Sequence, residues 1–155
     1  MKTAGDIMTR NVIALNEEDE IKKAADIFLK SKINAIPVTD KDGRLSGIVS
    51  ETDLVYQESN LHIPTLFTIF DSIFYLGGSK HFKEDVDKIT ATKIKDIMNK
   101  DVFYAKESAD IYSLATIMAD KKYYSIPIVD ELKKIIGVVS RYDIIKAMAE
   151  EKTAK

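Results

Sequence analysis

The sequence predicts a mixed α/β (α+β) chain in which one small unit, strand, helix, strand, strand, helix, is used twice. The first observation is a repeat: Ile33 to Leu54, INAIPVTDKDGRLSGIVSETDL, returns ninety positions later as Tyr123 to Ile144, YYSIPIVDELKKIIGVVSRYDI. Its anchors stay in register without a gap: Ile36-Pro37 with Ile126-Pro127, Asp40 with Asp130, Gly47 with Gly137, Ser50 with Ser140, and Asp53 with Asp143. The second is a change of period within each copy, from a helical stripe to short apolar runs of strand character. The third is size, since a unit of about 50 residues buries too little surface alone and the two copies should pack together.

Each element has its own warrant. Thr3 to Arg10 opens the unit, and its Asp6-Ile7-Met8 is echoed by Asp96-Ile97-Met98. Asn11-Val12-Ile13-Ala14-Leu15 reads as a short strand, with Val12 echoed by Val102. Asn16 to Glu20 then supplies caps and negative charge for a helix start, where the peptide dipole favours anions. In that helix Ile21, Ala24, Ala25 and Phe28 form one apolar stripe, which recurs as Ile111, Leu114, Ala115 and Met118.

Ile36-Pro37-Val38 and Ile126-Pro127-Ile128-Val129 read as strands, with the proline at the first residue or on an edge. Asp40-Lys41-Asp42-Gly43 carries the residues of a tight hairpin turn, Gly43 supplying a positive φ. The second copy has Asp130-Glu131-Leu132-Lys133 there, so its turn must differ or tolerate strain. Leu45 to Val49 and Ile135 to Val139 read as the next strands. Gly47 and Gly137 inside them mark places where backbone or ligand comes close. Ser50 and Ser140 are helix N-caps by pattern, with Asp53 and Asp143 as their capping-box partners.

These limits divide the chain into a first repeat at 1–60, an insert at 61–92, a second repeat at 93–150 and a short tail at 151–155 expected to fray. The insert has no counterpart in the other copy. Pro64 suits a first helical turn and Gly77-Gly78 a stop, so Pro64 to Leu76 reads as a helix, apolar over more than half its surface. Such a face must be covered, either by a second subunit or as a lid beside the cleft, or else by the repeats themselves.

Composition excludes several classes. The formal net charge is -2, which gives no general reason to bind nucleic acid. Lys93, Lys95 and Lys100 make only a modest basic cluster, with no recognisable reading helix. Cysteine is absent, and the two histidines, His62 and His81, belong to no metal-ligand spacing, so neither thiolate chemistry nor a metal site is expected. No GxGxxG or Walker pattern occurs, and no carboxylate pair is singled out as acid and base, so an enzyme is not expected. Met1 to Thr9 carries no apolar signal, and no apolar run approaches the roughly 18 residues of a membrane span, which makes cytoplasmic the expected location.

With the Asp-Ile-Met opening, the Ile-Pro-Val/Ile strand, the Gly-hydrophobic-hydrophobic-Ser strand end and the aspartate beyond it, the two blocks resemble the cystathionine β-synthase (CBS) domain, a regulatory module that normally occurs in tandem. The resemblance covers roughly residues 5 to 56 and 95 to 150. The insert is similar to that of small stand-alone bacterial or archaeal CBS-pair proteins. The resemblance implies a pseudo-twofold pair whose sheets pack together and leave two clefts for an adenosine ligand: AMP, ADP, ATP or S-adenosylmethionine. It implies that Asp53 and Asp143 hold ribose hydroxyls and that Ser50 and Ser140 reach phosphate. It places the base against Val12 and Ile13 with Ala35, Ile36 and Pro37 in one copy. In the other these are Asp101, Val102 and Phe103 with Ser125, Ile126 and Pro127.

The chemistry of these residues agrees with that expectation. An ionised carboxylate accepts from two vicinal hydroxyls, and a serine at a helix start sits where anions are favoured. Arg141 adds a forked donor suited to phosphate, where the first copy has Glu51, so a phosphate-bearing ligand is expected in the Ser140, Arg141, Asp143 cleft. Against this stand simpler roles: Asp53 and Asp143 as helix caps alone, Arg141 as a solvated side chain, and Tyr123 and Tyr124 as rim or core rather than stacking partners for a base. The reading is therefore a nucleotide-sensing module signalling to a separate, unidentified protein as a homodimer, with S-adenosylmethionine as the other ligand class. The alternative is a ligand-independent dimerisation or scaffold protein.

Overall fold

The computed structural model describes residues 1–55 and 92–154. In chain order these form α1 (Ala4–Ile7), β1 (Leu15–Asn16), α2 (Ile21–Ser31), β2 (Ala35–Thr39), β3 (Leu45–Ser50) and α3 (Glu51–Val55). A single 3-10 turn (Ile94–Asp96), α4 (Ile111–Lys121), β4 (Ser125–Val129), β5 (Ile135–Ser140) and α5 (Arg141–Thr153) follow. The insert expected at 61–92, with its Pro64 to Leu76 helix, lies almost wholly outside the described residues.

The helical stripes fold as their spacing predicts, except that Ala115 is only partly buried. Ile21, Ala24, Ala25 and Phe28 are the buried residues of α2, and Ile111, Leu114 and Met118 those of α4. In β3 burial alternates strictly, Leu45, Gly47 and Val49 facing in, as the two-residue period of a strand requires. β2 pairs antiparallel with β3, from Ala35 opposite Ser50 to Thr39 opposite Leu45, and β4 pairs with β5 in the same register, from Ser125 opposite Ser140 to Val129 opposite Ile135. Both hairpins slip register at equivalent points, between Val38 and Thr39 and between Ile128 and Val129.

Several expectations are corrected in detail. The strand expected over Asn11 to Leu15 is reduced to Leu15–Asn16, parallel to Val38 and Thr39. Its counterpart in the second copy is a single bridge, Ala105 to Ile128. Pro37 stands third in β2 rather than first, at a point β1 does not reach, so it holds an edge-like position in a nominally central strand. The cap of α2 is Glu20 without a side-chain bond, whereas Asp110 caps α4 by accepting from Ser113 N at 3.0 Å. Helix α5 runs past 150 to Thr153, where the threonine hydroxyl donates to Ala149 O at 2.8 Å.

The second hairpin takes the strained of the two alternatives. Lys133 adopts φ 64 where Gly43 has φ 79, and both turns are tied by the aspartate before them. Asp40 Oδ1 accepts from Asp42 N and Arg44 N at 2.8 and 3.0 Å, and Asp130 Oδ1 accepts from Leu132 N and Lys134 N, both at 2.9 Å. The Arg44 and Asp42 amides hold the Asp40 carboxyl below its usual range.

The two repeats exchange their opening segments. The α1 leader crosses to the second repeat, where Ala4 and Met8 enter a core of Leu114, Met118, Ile126, Ile128, Val139 and Ile144. Ile94 and Ile97 cross the other way into the core of Ile21, Phe28, Ile36, Val38, Val49 and Leu54. The backbone bonds obey the ninety-residue offset: Ala4 N donates to Ala109 O at 2.8 Å and Ile94 N to Asp19 O at 2.8 Å. Likewise Thr9 N donates to Val138 O at 2.9 Å and Asn99 N to Ile48 O at 2.9 Å. Ion pairs on the rim follow the same exchange, Lys2 with Glu150 and Arg10 with Glu107 at 2.8 Å, and Lys95 with Glu18 at 2.6 Å. Neither repeat completes its own core, so the sequence boundaries at 1–60 and 93–150 describe the chain but not the packing.

Candidate functional site

The exchange brings the stretch after α1 against the second repeat, and a cavity of about 530 Å³ opens where they meet. That volume lies within the roughly 300–1,000 Å³ of small-molecule sites. One wall comes from the first half of the chain: Asn11, Val12 and Ile13, the end of α2 at Lys32, and Ala35 and Pro37 of β2. The other comes from the second half: Tyr124, Ser125, Ser140, Arg141, Tyr142 and Asp143. Thr9, bonded both ways to Val138, pins the first wall to β5.

The polar end of the cavity is the start of α5. Ser140 donates from both N and Oγ to Asp143 Oδ2, at 2.8 and 2.6 Å, and Asp143 N donates back to Ser140 Oγ at 3.2 Å. This is the capping box the sequence predicts, and it fixes both side chains. Every bond Asp143 accepts among the described residues falls on Oδ2, which leaves Oδ1 for other donors. The cap and the ribose role are therefore compatible in one carboxylate, because its two oxygens accept independently.

Arg141 is more committed than its sequence position suggests. Its Nε donates to Tyr123 O at 2.7 Å and its Nη2 to Met118 O at 3.5 Å, while the guanidinium stacks 4.5 Å from the Tyr124 ring centroid. It thus ties the last turn of α4, where carbonyls lack helical partners, to the start of α5. It lines the cavity as a held cation rather than a freely solvated one.

Of the residues singled out from sequence, Val12, Ile13, Ala35, Pro37, Ser125, Ser140, Arg141 and Asp143 line this cavity together. Ile36, Ile126, Pro127, Asp101, Val102, Phe103, Ser50 and Asp53 do not. Ile36 and Ile126 are fully buried, one in each of the two cores. Ser50 and Asp53 reproduce half of this arrangement elsewhere, Ser50 N and Oγ donating to Asp53 Oδ2 at 2.7 and 2.9 Å, while Ser50 Oγ also lies 2.7 Å from Thr52 Oγ1. Phe103 stacks on Tyr123 with centroids 6.1 Å apart, and Asp101 N donates to Asn99 Oδ1 at 3.0 Å. The apolar wall and the carboxylate of the cavity thus come from opposite repeats.

Sequence reasoning missed Lys32, Asn34 and Tyr142. Lys32 ends α2 in the left-handed region, φ 48, and Lys122 does the same for α4, φ 57. The recurrence of lysine ninety positions apart was the available signal. Among the described residues no group of three or more His, Cys, Asp or Glu side chains is placed to hold a metal ion, and no helix is long and apolar enough to cross a membrane.

Comparison with known proteins agrees with this architecture. A family model described as CBS domain matches residues 4–59 and 94–150. The protein MJ1426 of Methanocaldococcus jannaschii is 31% identical over 92% of this chain and 89% of its own length. The chloroplastic CBS domain-containing protein CBSX2 of Arabidopsis thaliana is 26% identical over 97% of this chain, which spans 65% of that protein. A crystal structure of CBSX2 in complex with AMP superposes with a TM-score of 0.72 at 21% identity, covering 98% of this chain and 99% of that one. The CBS domain pair of MJ0100, in complex with 5′-methylthioadenosine and S-adenosyl-L-methionine, gives 0.68 at 21% identity, covering 97% and 98%. At such identity the two structural likenesses concern the fold. With the same family model matched on either side of the insert and the same pair architecture in the solved structures, the chain belongs to the CBS domain family and is folded as a tandem CBS pair.

Proposed function

We propose that this CBS pair is a regulatory module that binds an adenine nucleotide, AMP, ADP or ATP, in the cavity between its repeats and signals its occupancy to a separate protein. The observation that carries the reading is the cavity in which an apolar wall, Val12, Ile13, Ala35 and Pro37, faces the Ser140–Asp143 helix start. The apolar wall suits a purine, Asp143 Oδ1 suits a ribose diol, and the N-terminus of the thirteen-residue α5 suits a phosphate. Ligands named for similar proteins, AMP with CBSX2 and S-adenosyl-L-methionine with MJ0100, support an adenosyl group as the common element. Because the two walls belong to opposite repeats, a ligand touching both favours one arrangement of the pair and shifts the population a partner reads. The module works in the cytoplasm as a homodimer.

The test is calorimetric titration of AMP, ADP, ATP and S-adenosylmethionine into protein stripped of carried-over ligand by denaturation and refolding, with Asp143→Asn and Asp53→Asn alongside. Saturable binding that weakens in Asp143→Asn and persists in Asp53→Asn supports the reading. A correctly folded protein that binds none of the four is the outcome expected of a ligand-independent scaffold.

A further inference from the structure

The charges that line the cavity are Lys32, Arg141 and Asp143, one net positive. Ninety positions away the corresponding residues are Lys122, Glu51 and Asp53, one net negative. The two sets therefore differ by two charges although the backbones around them match. Within the cavity the cations are not equivalent. Arg141 is held by Tyr123 O and Met118 O and covered by Tyr124. Lys32 takes part in no hydrogen bond or ion pair among the described residues, and its position at the end of α2 is set by a left-handed backbone rather than by its side chain.

An ammonium on a flexible stem, lining a cavity and without a partner among the described residues, suits a mobile anionic group and opposes a cationic one. We infer that Lys32 is the residue by which this cavity selects a phosphate-bearing nucleoside over one that is neutral or carries a sulfonium, its ammonium meeting the phosphate while Asp143 holds the ribose. The inference rests on the adenosyl reading of the cavity and deepens it from a ligand family to a charge class. A sulfonium would meet two cations in the same space, with the one carboxylate already taken up by Ser140 on Oδ2 and the ribose on Oδ1.

The experiment compares AMP, adenosine and S-adenosylmethionine on the full chain carrying Lys32→Asn, Lys32→Arg or Lys122→Asn. Asparagine tolerates the left-handed region, so the fold is kept while the charge is lost. Lys32→Asn should weaken AMP about ten-fold, the loss of one charge-assisted contact, and leave adenosine unchanged. Lys32→Arg should restore AMP binding, Lys122→Asn should leave it intact, and raising salt should erase the wild-type preference for AMP over adenosine. Equal AMP affinity in wild type and Lys32→Asn, or tighter binding of S-adenosylmethionine than of AMP by the wild type, overturns the inference while leaving an adenosyl site in place. Failure of the wild type to bind any of the three removes the adenosyl reading and this inference together.

Discussion

Met8 packs so closely against Gly137 that a β-carbon on the glycine would overlap the methionine sulfur and Cγ. The same relation recurs at Gly47, where an added β-carbon would stand 2.7 Å from Met98 Sδ and 3.0 Å from Asn99 O. The glycine in each second hairpin strand is thus a seat for the leader exchanged from the other repeat. Gly137→Ala should destabilise the protein by about 1–3 kcal/mol through overpacking, and Met8→Ala by about 2 kcal/mol or more. In a urea-unfolding double-mutant cycle the two losses should be clearly less than additive, since the smaller side chain makes room for the added methyl. Full additivity would mean the contact is not the cause.

The turn residues offer a cleaner backbone effect. Nothing lies within 4 Å of a β-carbon placed on Gly43, so Gly43→Ala has no steric partner to meet. It should still cost about 1 kcal/mol, the strain of a side chain at φ 79. Lys133→Gly should raise stability by only a few tenths of a kcal/mol, because the relief of φ 64 is offset by the lysine's contact, 5.3 Å from the Tyr104 ring centroid. Thermal midpoints of the two variants moving in the same direction would contradict this account.

Ser140→Ala separates capping from ligand binding. Losing the hydroxyl removes one donor to Asp143 and the acceptor for Asp143 N, and should cost about 1 kcal/mol of stability. Ser50→Ala should cost a similar amount, since Ser50 makes the same bonds from N and Oγ to Asp53. Only Ser140→Ala should also weaken AMP in calorimetry. Equal loss of affinity in both variants would place ligand at both helix starts.

Acid should loosen the exchanged leaders. Hydrogen bonding and charge from Lys2 lower the Glu150 carboxyl below its usual value, and Lys95 does the same for Glu18. A backbone bond from Thr3 lowers Asp6. Because each folded-state value lies below the unfolded one, the stabilisation is complete above the ordinary carboxylate pKa of about 4 and is lost as pH falls through the folded value. All three groups are exposed, so the effect should be modest and reduced by salt. Urea midpoints followed downward from pH 6 should fall less steeply in a Glu18→Gln, Glu150→Gln double variant than in the wild type; parallel curves would exclude these pairs as the source.

The sequence by itself determined the repeat, the helical stripes of α2 and α4, the paired hairpins and the capping box at Ser140 and Asp143. Each of these is encoded within a few residues: a period of 3.6 or 2, a turn aspartate, a serine three positions before an aspartate. Even the open question of the second turn was local, and Lys133 settles it by accepting the strained conformation that Gly43 takes freely. What local pattern did not carry was partnership across the chain. Ala4 and Met8 have the same apolar character whichever core receives them, and Ala35 has the same neighbours in sequence whether it faces Asp53 or Asp143. The tertiary structure decided both, because only when Thr9 pairs with Val138 and Asn99 with Ile48 do the leaders cross, each repeat borrowing the residues that close its core. The cavity is a consequence of that crossing: its apolar wall and its carboxylate lie on opposite repeats, at a sequence separation no periodicity reports.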